Sequence, residues 1–350
     1  MKRIVVALWL VAFVLQPLTG QEVKNVIVMI GDGMGVSQVY AGLTANRGSL
    51  NLEQCQYVGF SKTYSASDYI TDSAAGGTAI ACGVKTTNGT VGMDAWGNPV
   101  PSILALAAKN DLSTGVVVSC DLTHATPASF IAHQPKRSME EAIAADYLPS
   151  GVTVCIGGGR KNFENRSDGK NITQQMKAKG YQVAYTMDEV TKVTSGKLLG
   201  LLAEQHPAAY PERGNMLPDA VAAALHILKN NEKGFFLMVE GSQIDWGGHA
   251  NNQEQVINEM LDFDRAIKVA FDFAEKNPNT LVVITADHET GGLALNGGNF
   301  ETGEVNAAFT TKGHTAVMVP VFAFGAGARE FAGIYQNTDF LPKILKLYGF

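Results

Sequence analysis

The sequence predicts an α/β fold with a mostly parallel sheet and helices on both faces. Short apolar runs recur along the chain, and helical patterns lie between them. Runs of this kind fit strands buried on both sides, as in a parallel sheet. The 350 residues are 46% hydrophobic and only 17% charged, below the roughly 25% charge of an average globular protein, which fits a covered sheet. The same composition excludes a disordered tail, a coiled coil and a collagen-like rod. The net charge of −6 argues against a nucleic-acid binder, which carries a basic surplus.

The first element reads as a segment removed before folding. Met1-Lys2-Arg3 is a basic start, Ile4 to Leu15 is an unbroken apolar run, Gln16-Pro17 breaks it, and Gly20 is a small residue before Gln21. This is the pattern of a secretory signal peptide over residues 1–20, and the run falls short of the about 20 apolar residues that span a membrane. Loss of Lys2 and Arg3 leaves a net charge of −8. Residues 21–350 are expected to form one exported domain, periplasmic or secreted, with no stable membrane anchor. Export permits disulfides. Cys55, Cys82, Cys120 and Cys155 nevertheless read as free, buried thiols, and with no CxxC pair they give little support to thiolate metal binding.

The remaining elements follow in order. Asn25–Ile30 (NVIVMI) is the first strand, and Gly31 to Gly35 (GDGMG) is the tight turn after it. Further strands are expected at Thr114–Ser119, Val152–Ile156, Phe235–Val239, Leu281–Thr285 and Val317–Phe324. Helices are expected at Ser102–Asn110, Met139–Tyr147, Asp219–Asn230 and Gln253–Glu275. The stretch from Gly157 to Leu217 is looser and more polar, without a linker that would divide the chain. The GDGMG turn lacks the third glycine of GxGxxG and the GK[ST] of a P-loop, so neither nucleotide motif applies.

Polar and ionisable residues gather just after the strands: Asp32 after the first, Thr123, His124 and Thr126 after the next, then Glu240 and Asp245, then Asp287 and His288. One such residue reads as turn chemistry. Four strand ends in one parallel sheet converge on a single face. Asp245 and His249 are four apart and share a helical face. His314 arrives from a Gly-rich stretch. Imidazoles with carboxylates suit a catalytic zinc site, and the oxygen set Asp32, Thr126 and Glu240 suits magnesium. His133, placed in a helical run, His206 before a proline and His226 within a helix read as structural. Asp72-Ser73 followed by AAGGTA fits a helix start, and equally a hydroxyl presented to a phosphate at a helix N-terminus.

Taken together the motifs resemble the alkaline phosphatases, secreted metal-dependent phosphomonoesterases. The resemblance runs in order through IGDGMG, TDSAAGGTA, THATPASFIAH-QPKR, IGGGRKNF, FFLMVEGSQIDWGGHANN, TADHETGG and TKGHTAVMVPVFAFG. It implies an α/β/α sandwich, usually as a homodimer, with two zinc ions and one magnesium per subunit. It implies Ser73 as nucleophile, with Asp245, His249 and His314 on the first zinc. Asp32, Asp287 and His288 would hold the second zinc together with Ser73, and Asp32, Thr126 and Glu240 the magnesium. Arg137 corresponds to the family's phosphate-clamping arginine and Asp72 to the carboxylate that orients it. Small phosphate monoesters would be the substrates and inorganic phosphate a product.

His124 and Trp246 stand where the best-known bacterial members carry Asp and Lys. The pair resembles some cold-environment bacterial members, and the chain is compact beside the animal enzymes. The exchange removes a negative charge beside the third metal and a positive charge near the substrate phosphate. The rival readings are a phosphodiesterase or sulfatase of the same superfamily, or a non-catalytic exported phosphate- or zinc-binding protein.

Overall fold

The computed structural model describes residues 22–350. The export segment expected over residues 1–20 lies outside them. The strands are β1 (Asn25–Gly31), β2 (Tyr57–Lys62), β3 (Ser113–Asp121), β4 (Val154–Gly158), β5 (Tyr181–Ala184), β6 (Lys197–Leu201), β7 (Phe235–Gly241), β8 (Thr280–Thr285), β9 (Glu289–Thr290), β10 (Leu293–Asn299), β11 (Glu304–Phe309), β12 (His314–Thr315), β13 (Val319–Gly325) and β14 (Gly333–Gln336). The helices are α1 (Val36–Ala45), α2 (Ser73–Cys82), α3 (Ile103–Lys109), α4 (Ala125–Ile131), α5 (Glu140–Ser150), α6 (Arg160–Glu164), α7 (Ile172–Ala178), α8 (Met187–Val190), α9 (Met216–Leu228), α10 (Ile244–Ala250), α11 (Gln253–Lys276) and α12 (Phe340–Tyr348).

Ten strands form one sheet in the order β14-β2-β13-β8-β1-β7-β3-β4-β6-β5. Within it β13 alone runs antiparallel to its neighbours. Side chains alternate between the two faces, and the sequence uses that alternation to build two cores. Val26, Val28, Ile30, Phe236 and Met238 pack on one side, with residues of α2 to α5 and α12. Ile27, Met29, Phe235, Leu237 and Val239 pack on the other, with α9 and α11. The result is the expected three-layer α/β/α sandwich. No helix among the described residues is long and apolar enough to cross a membrane.

Register brings the strand ends level. Ile30 pairs with Glu240 and with Thr285, and Val118 also pairs with Glu240. The residues that follow β1, β3, β7 and β8 therefore emerge together at one edge of the sheet.

Several expectations need correction. The strand expected at Val152–Ile156 lies two residues later, because Thr153 still belongs to the turn, its N–H donating to Thr114 O at 2.9 Å. The strand expected from Val317 begins at Val319, and Val317 and Met318 are exposed. His133 is past the end of α4, with its ring on the Gly92 carbonyl and its N–H on Asp146. The looser stretch after Gly157 supplies β5 and β6, which extend the sheet from β4. The four cysteines are free, and Cys82, Cys120 and Cys155 are buried while Cys55 is half-buried.

Candidate active site

Beyond the level strand ends, three groups of donors meet. The first is Asp245, His249 and His314. Asp245 and His249 stand one turn apart on α10, and β12, paired with β9, delivers His314. His249 Nδ1 lies 2.5 Å from Lys312 O, and His314 Nδ1 lies 2.9 Å from Thr71 O. A carbonyl can only accept, so both rings carry their proton on Nδ1. Their bare Nε2 atoms face each other at 3.1 Å, and they lie 3.4 and 3.6 Å from Asp245 Oδ1. Two lone pairs and a carboxylate oxygen converge on one point, an arrangement that calls for a cation.

The second group is Asp32, Asp287 and His288, all fully buried. His288 Nε2 lies 3.4 Å from Asp32 Oδ1, 3.3 Å from Asp287 Oδ2 and 3.2 Å from Ser73 Oγ. Both carboxylate oxygens are buried without a hydrogen-bond partner. Four donors about 2.0–2.1 Å from a tetrahedral zinc lie about 3.3 Å apart. The separations in both groups match that edge, so the residues fit the metal.

The third group lies around Glu240. Thr126 Oγ1 donates to Asp32 Oδ2 at 3.4 Å, and Glu240 Oε1 is buried with no partner. Burial and the neighbouring carboxylates Asp287, Asp245 and Glu240 hold Asp32 well above the usual carboxylate range. Burial raises Glu240 to about 7 and raises Asp287 as well. Burial, and then His314, push His288 well below the ordinary imidazole value. Carboxylates packed this closely fit bound cations, which would neutralise the cluster.

Ser73 opens α2. Asp72 caps that helix, its Oδ1 accepting from Ala75 N–H at 3.0 Å. The small residues after Ser73 let the helix come close: a Cβ on Gly76 would stand 3.1 Å from Asp287, and one on Gly77 3.0 Å from Ser129 Oγ. Across the site, Asp72 Oδ2 accepts from Gly89 N–H at 3.0 Å and pairs with Arg137 at 3.1 Å. The other Arg137 nitrogen is 3.3 Å from His124 Nε2. Burial, then the Arg137 charge, lowers His124 to about 3, so its ring is neutral. Trp246 stands edge-on to His124 with centroids 6.3 Å apart. The structure thus brings the proposed ligands together with Ser73, Asp72, Arg137, His124 and Trp246, whereas Thr123 turns to Asp121 and Asn162 instead.

Three participants were not singled out as such. Thr290 Oγ1 donates its proton to Asp245 Oδ1 and so accepts from His288 Nδ1–H at 3.2 Å, which ties the first two groups together. Its position two residues after His288 was the available signal. His206, read as structural, accepts the Asp121 N–H at 3.1 Å and packs edge-on to Trp246 at 4.7 Å. Cys120 lies 3.5 Å from Glu240 Oε2, a contact between residues far apart in sequence.

The family model for alkaline phosphatase matches residues 23–308. Alkaline phosphatase 4 of Bacillus subtilis is 34% identical over 93% of this chain and 89% of its own length. The alkaline phosphatase of Escherichia coli is 32% identical over 92% of this chain and 85% of its own. The solved alkaline phosphatase of the Antarctic bacterium TAB5 superposes with a TM-score of 0.89 at 40% identity, covering 95% of this chain and 99% of that one. A variant of that enzyme, with a histidine replaced by aspartate, holds magnesium in a site designated M3. Donor groups, helix-borne serine and matching relatives agree: the chain is an enzyme of the alkaline phosphatase family.

Proposed function

We propose that the protein hydrolyses small phosphate monoesters through a phosphoserine on Ser73 and releases inorganic phosphate. The observation that carries this is Ser73 Oγ at 3.2 Å from His288 Nε2, a member of a donor group of tetrahedral spacing. Asp245, His249 and His314 would hold one zinc, and Asp32, Asp287, His288 and Ser73 the other. Asp32, Thr126 and Glu240 offer oxygens to a third ion, for which oxygen donors alone point to magnesium. When bound, these ions supply Lewis acidity that activates a weak nucleophile and stabilises the leaving oxygen.

The chain's own residues do the rest. Ser73 gives up its hydroxyl proton as Oγ forms the bond to phosphorus and the ester P–O bond breaks, the leaving oxygen taking a proton to depart as the alcohol; water then breaks the Oγ–P bond, phosphate leaves and Oγ regains a proton. The N-terminus of α2 points backbone N–H groups at the phosphoryl oxygens. Arg137 can grip two non-bridging oxygens with its planar fork while Asp72 fixes its direction. His124, neutral, and Trp246 wall the substrate side without adding charge. Local positive charge, rather than the net charge of the chain, governs binding of a dianion.

Residues 21–350 would act as one exported catalytic domain after removal of residues 1–20, paired as a homodimer. Asp32 and His314, from opposite ends of the chain, serve two adjacent groups whose His288 and His314 rings stack at 3.5 Å, which supports a single catalytic unit. The test is a substrate profile. p-Nitrophenyl phosphate should be turned over far faster than its bis-ester or p-nitrophenyl sulfate. Chelation should abolish turnover and zinc restore it. A preference for the diester or the sulfate would favour the superfamily rivals, and binding without turnover the non-catalytic one.

A further inference from the structure

Ser73 is delivered by a stretch with little packing of its own. From Ala66 to Ile70 every residue is exposed, Tyr69 to 81% and Ile70 to 43%. Apolar burial does not fix such a stretch, so its polar ties decide where it lies. Those ties run to one turn. Thr90 N–H closes the turn on Thr87 O at 3.1 Å, and Gly89 has φ +86°, as the third residue of a type II turn requires. Ala66 N–H donates to Thr86 O at 2.9 Å, and Asn88 N–H donates to Ser67 Oγ at 3.1 Å.

The Asn88 side chain makes the ties closest to the nucleophile. Its Nδ2 donates to Ile70 O at 3.0 Å, and its Oδ1 accepts from Asp72 N–H at 3.2 Å. A carbonyl only accepts and an N–H only donates, so both partners fix the amide's orientation. One planar amide thus holds the chain on both sides of Thr71, whose own carbonyl accepts from His314 Nδ1–H at 2.9 Å. The next residue of the turn, Gly89, donates its N–H to Asp72 Oδ2 at 3.0 Å, and its carbonyl accepts Arg137 N–H at 2.7 Å. Val91 and Gln134 exchange two backbone hydrogen bonds of 3.0 Å, so the chain leaving the turn runs beside the one that carries Arg137. The segments bearing the nucleophile and the clamp are therefore fastened to the same short strip.

Resting on the phosphatase reading for the reaction it serves, we propose that Asn88 is a positioning residue: its amide sets the Thr71–Ser73 segment where Ser73 Oγ and the Arg137 guanidinium meet one phosphoryl group. Asn88 touches no reacting atom. It acts through the backbone that carries Ser73, through Asp72, which orients Arg137, and through the carbonyl that orients His314. Orientation of a nucleophile contributes most in the transition state. Loss of the amide should therefore weaken binding of vanadate, which takes a bond from the serine oxygen and mimics the transition state, more than binding of phosphate, which needs the clamp but no such bond.

The test compares the full-length, zinc-loaded protein with Asn88→Ala, Asn88→Asp and Ser67→Ala, their folding checked by thermal unfolding. Asn88→Ala should lower kcat/KM on p-nitrophenyl phosphate roughly tenfold, the scale of a sub-ångström misplacement. By calorimetry it should weaken vanadate binding by roughly the same factor and phosphate binding by about threefold or less. Asn88→Asp keeps the acceptor for Asp72 N–H and loses the donor to Ile70 O, so in about 1 M salt, which screens its charge, it should lose about threefold in kcat/KM and vanadate affinity. Ser67→Ala loses a bond to the same turn without touching the amide, and should keep the wild-type kcat/KM. Hydrogen exchange at the Asp72 amide should be faster in Asn88→Ala than in the wild type. Wild-type vanadate affinity in folded Asn88→Ala, an equal loss in Ser67→Ala, or unchanged exchange at Asp72 each overturns the proposal. So does a lowered kcat with KM and vanadate affinity unchanged, the mark of a partly inactive sample. Should Asn88→Ala not fold, the kcat/KM and vanadate comparisons on Asn88→Asp decide. A wild type without turnover, whose Asp72 amide is still released in Asn88→Ala, counts against the phosphatase reading and leaves the fastening by Asn88 standing.

Discussion

Asp72 does two separable jobs, and two substitutions pull them apart. Its Oδ1 caps α2 through Ala75 N–H, and its Oδ2 holds Gly89 N–H and Arg137. Losing a carboxylate N-cap costs about 1 kcal/mol. Losing the Gly89 hydrogen bond costs about 1 kcal/mol more. The Arg137 pair, with side chains 31% and 20% exposed, contributes about 1 kcal/mol after solvent screening. Asp72→Ala should therefore lose about 2–3 kcal/mol of stability by these three terms. Asp72→Asn keeps an oxygen for the cap but turns an NH2 toward two donors, so it should lose about 1 kcal/mol less. Both variants free Arg137 equally. Their kcat/KM on p-nitrophenyl phosphate should fall alike, by roughly five- to tenfold at about 1.4 kcal/mol per factor of ten. Denaturant unfolding and steady-state kinetics on the two variants check this. Wild-type kcat/KM in Asp72→Asn would refute the orienting role, and a far larger loss in folded Asp72→Ala would show that the cap governs activity.

Two further predictions concern the clamp and the metal-free pocket. Arg137→Lys cannot serve Asp72 and two phosphoryl oxygens together, and losing one charge-assisted bond worth about 1.5–3 kcal/mol should lower kcat/KM roughly 10- to 100-fold. Steady-state kinetics decide it, with an unchanged value contradicting the bidentate grip. The stripped protein should lose stability as pH rises from about 6.5 to 8. Burial raises Asp32 above its ordinary value and Glu240 to about 7, so the folded state holds protons there that the unfolded chain has already released. The depressed His124 and His288 are neutral in the folded state but half protonated near 6.5 in the unfolded one, so they oppose this loss between about 6.5 and 7.5 and add no slope above it. Zinc should restore more stability at pH 8 than at 6.5, and a stripped protein whose melting temperature stays flat or rises would contradict this reading.

The centre of the sheet was legible because each buried strand is a short apolar run that stops at a polar residue. Asp32, Glu240, Asp287 and His288 stand at such stops. Asp245 and His249 were legible through the helical repeat, and Ser73 through a cap followed by small residues. The edges were not. β2, β5 and β14 are short and mixed in character, and the β10–β11 hairpin is largely exposed, with burial alternating along β11, so none offers an apolar run. β6 (KLLGL) is apolar and buried, but its run is short and broken by Gly200 within a polar stretch. The contact of Cys120 with Glu240 was not legible because Glu240 arrives from β7 through the sheet register. His206 escaped for a similar reason, since its loop meets Trp246 only in three dimensions.

The most direct measurement of the central claim is mapping of the covalent intermediate. The zinc-loaded protein is mixed with substrate, quenched in acid and digested, and the phosphopeptide is sequenced by mass spectrometry. Phosphate should sit on Ser73, and Ser73→Ala, folded and metal-loaded, should carry none. Phosphate on another residue, or Ser73→Ala labelled at the wild-type level, would contradict the account.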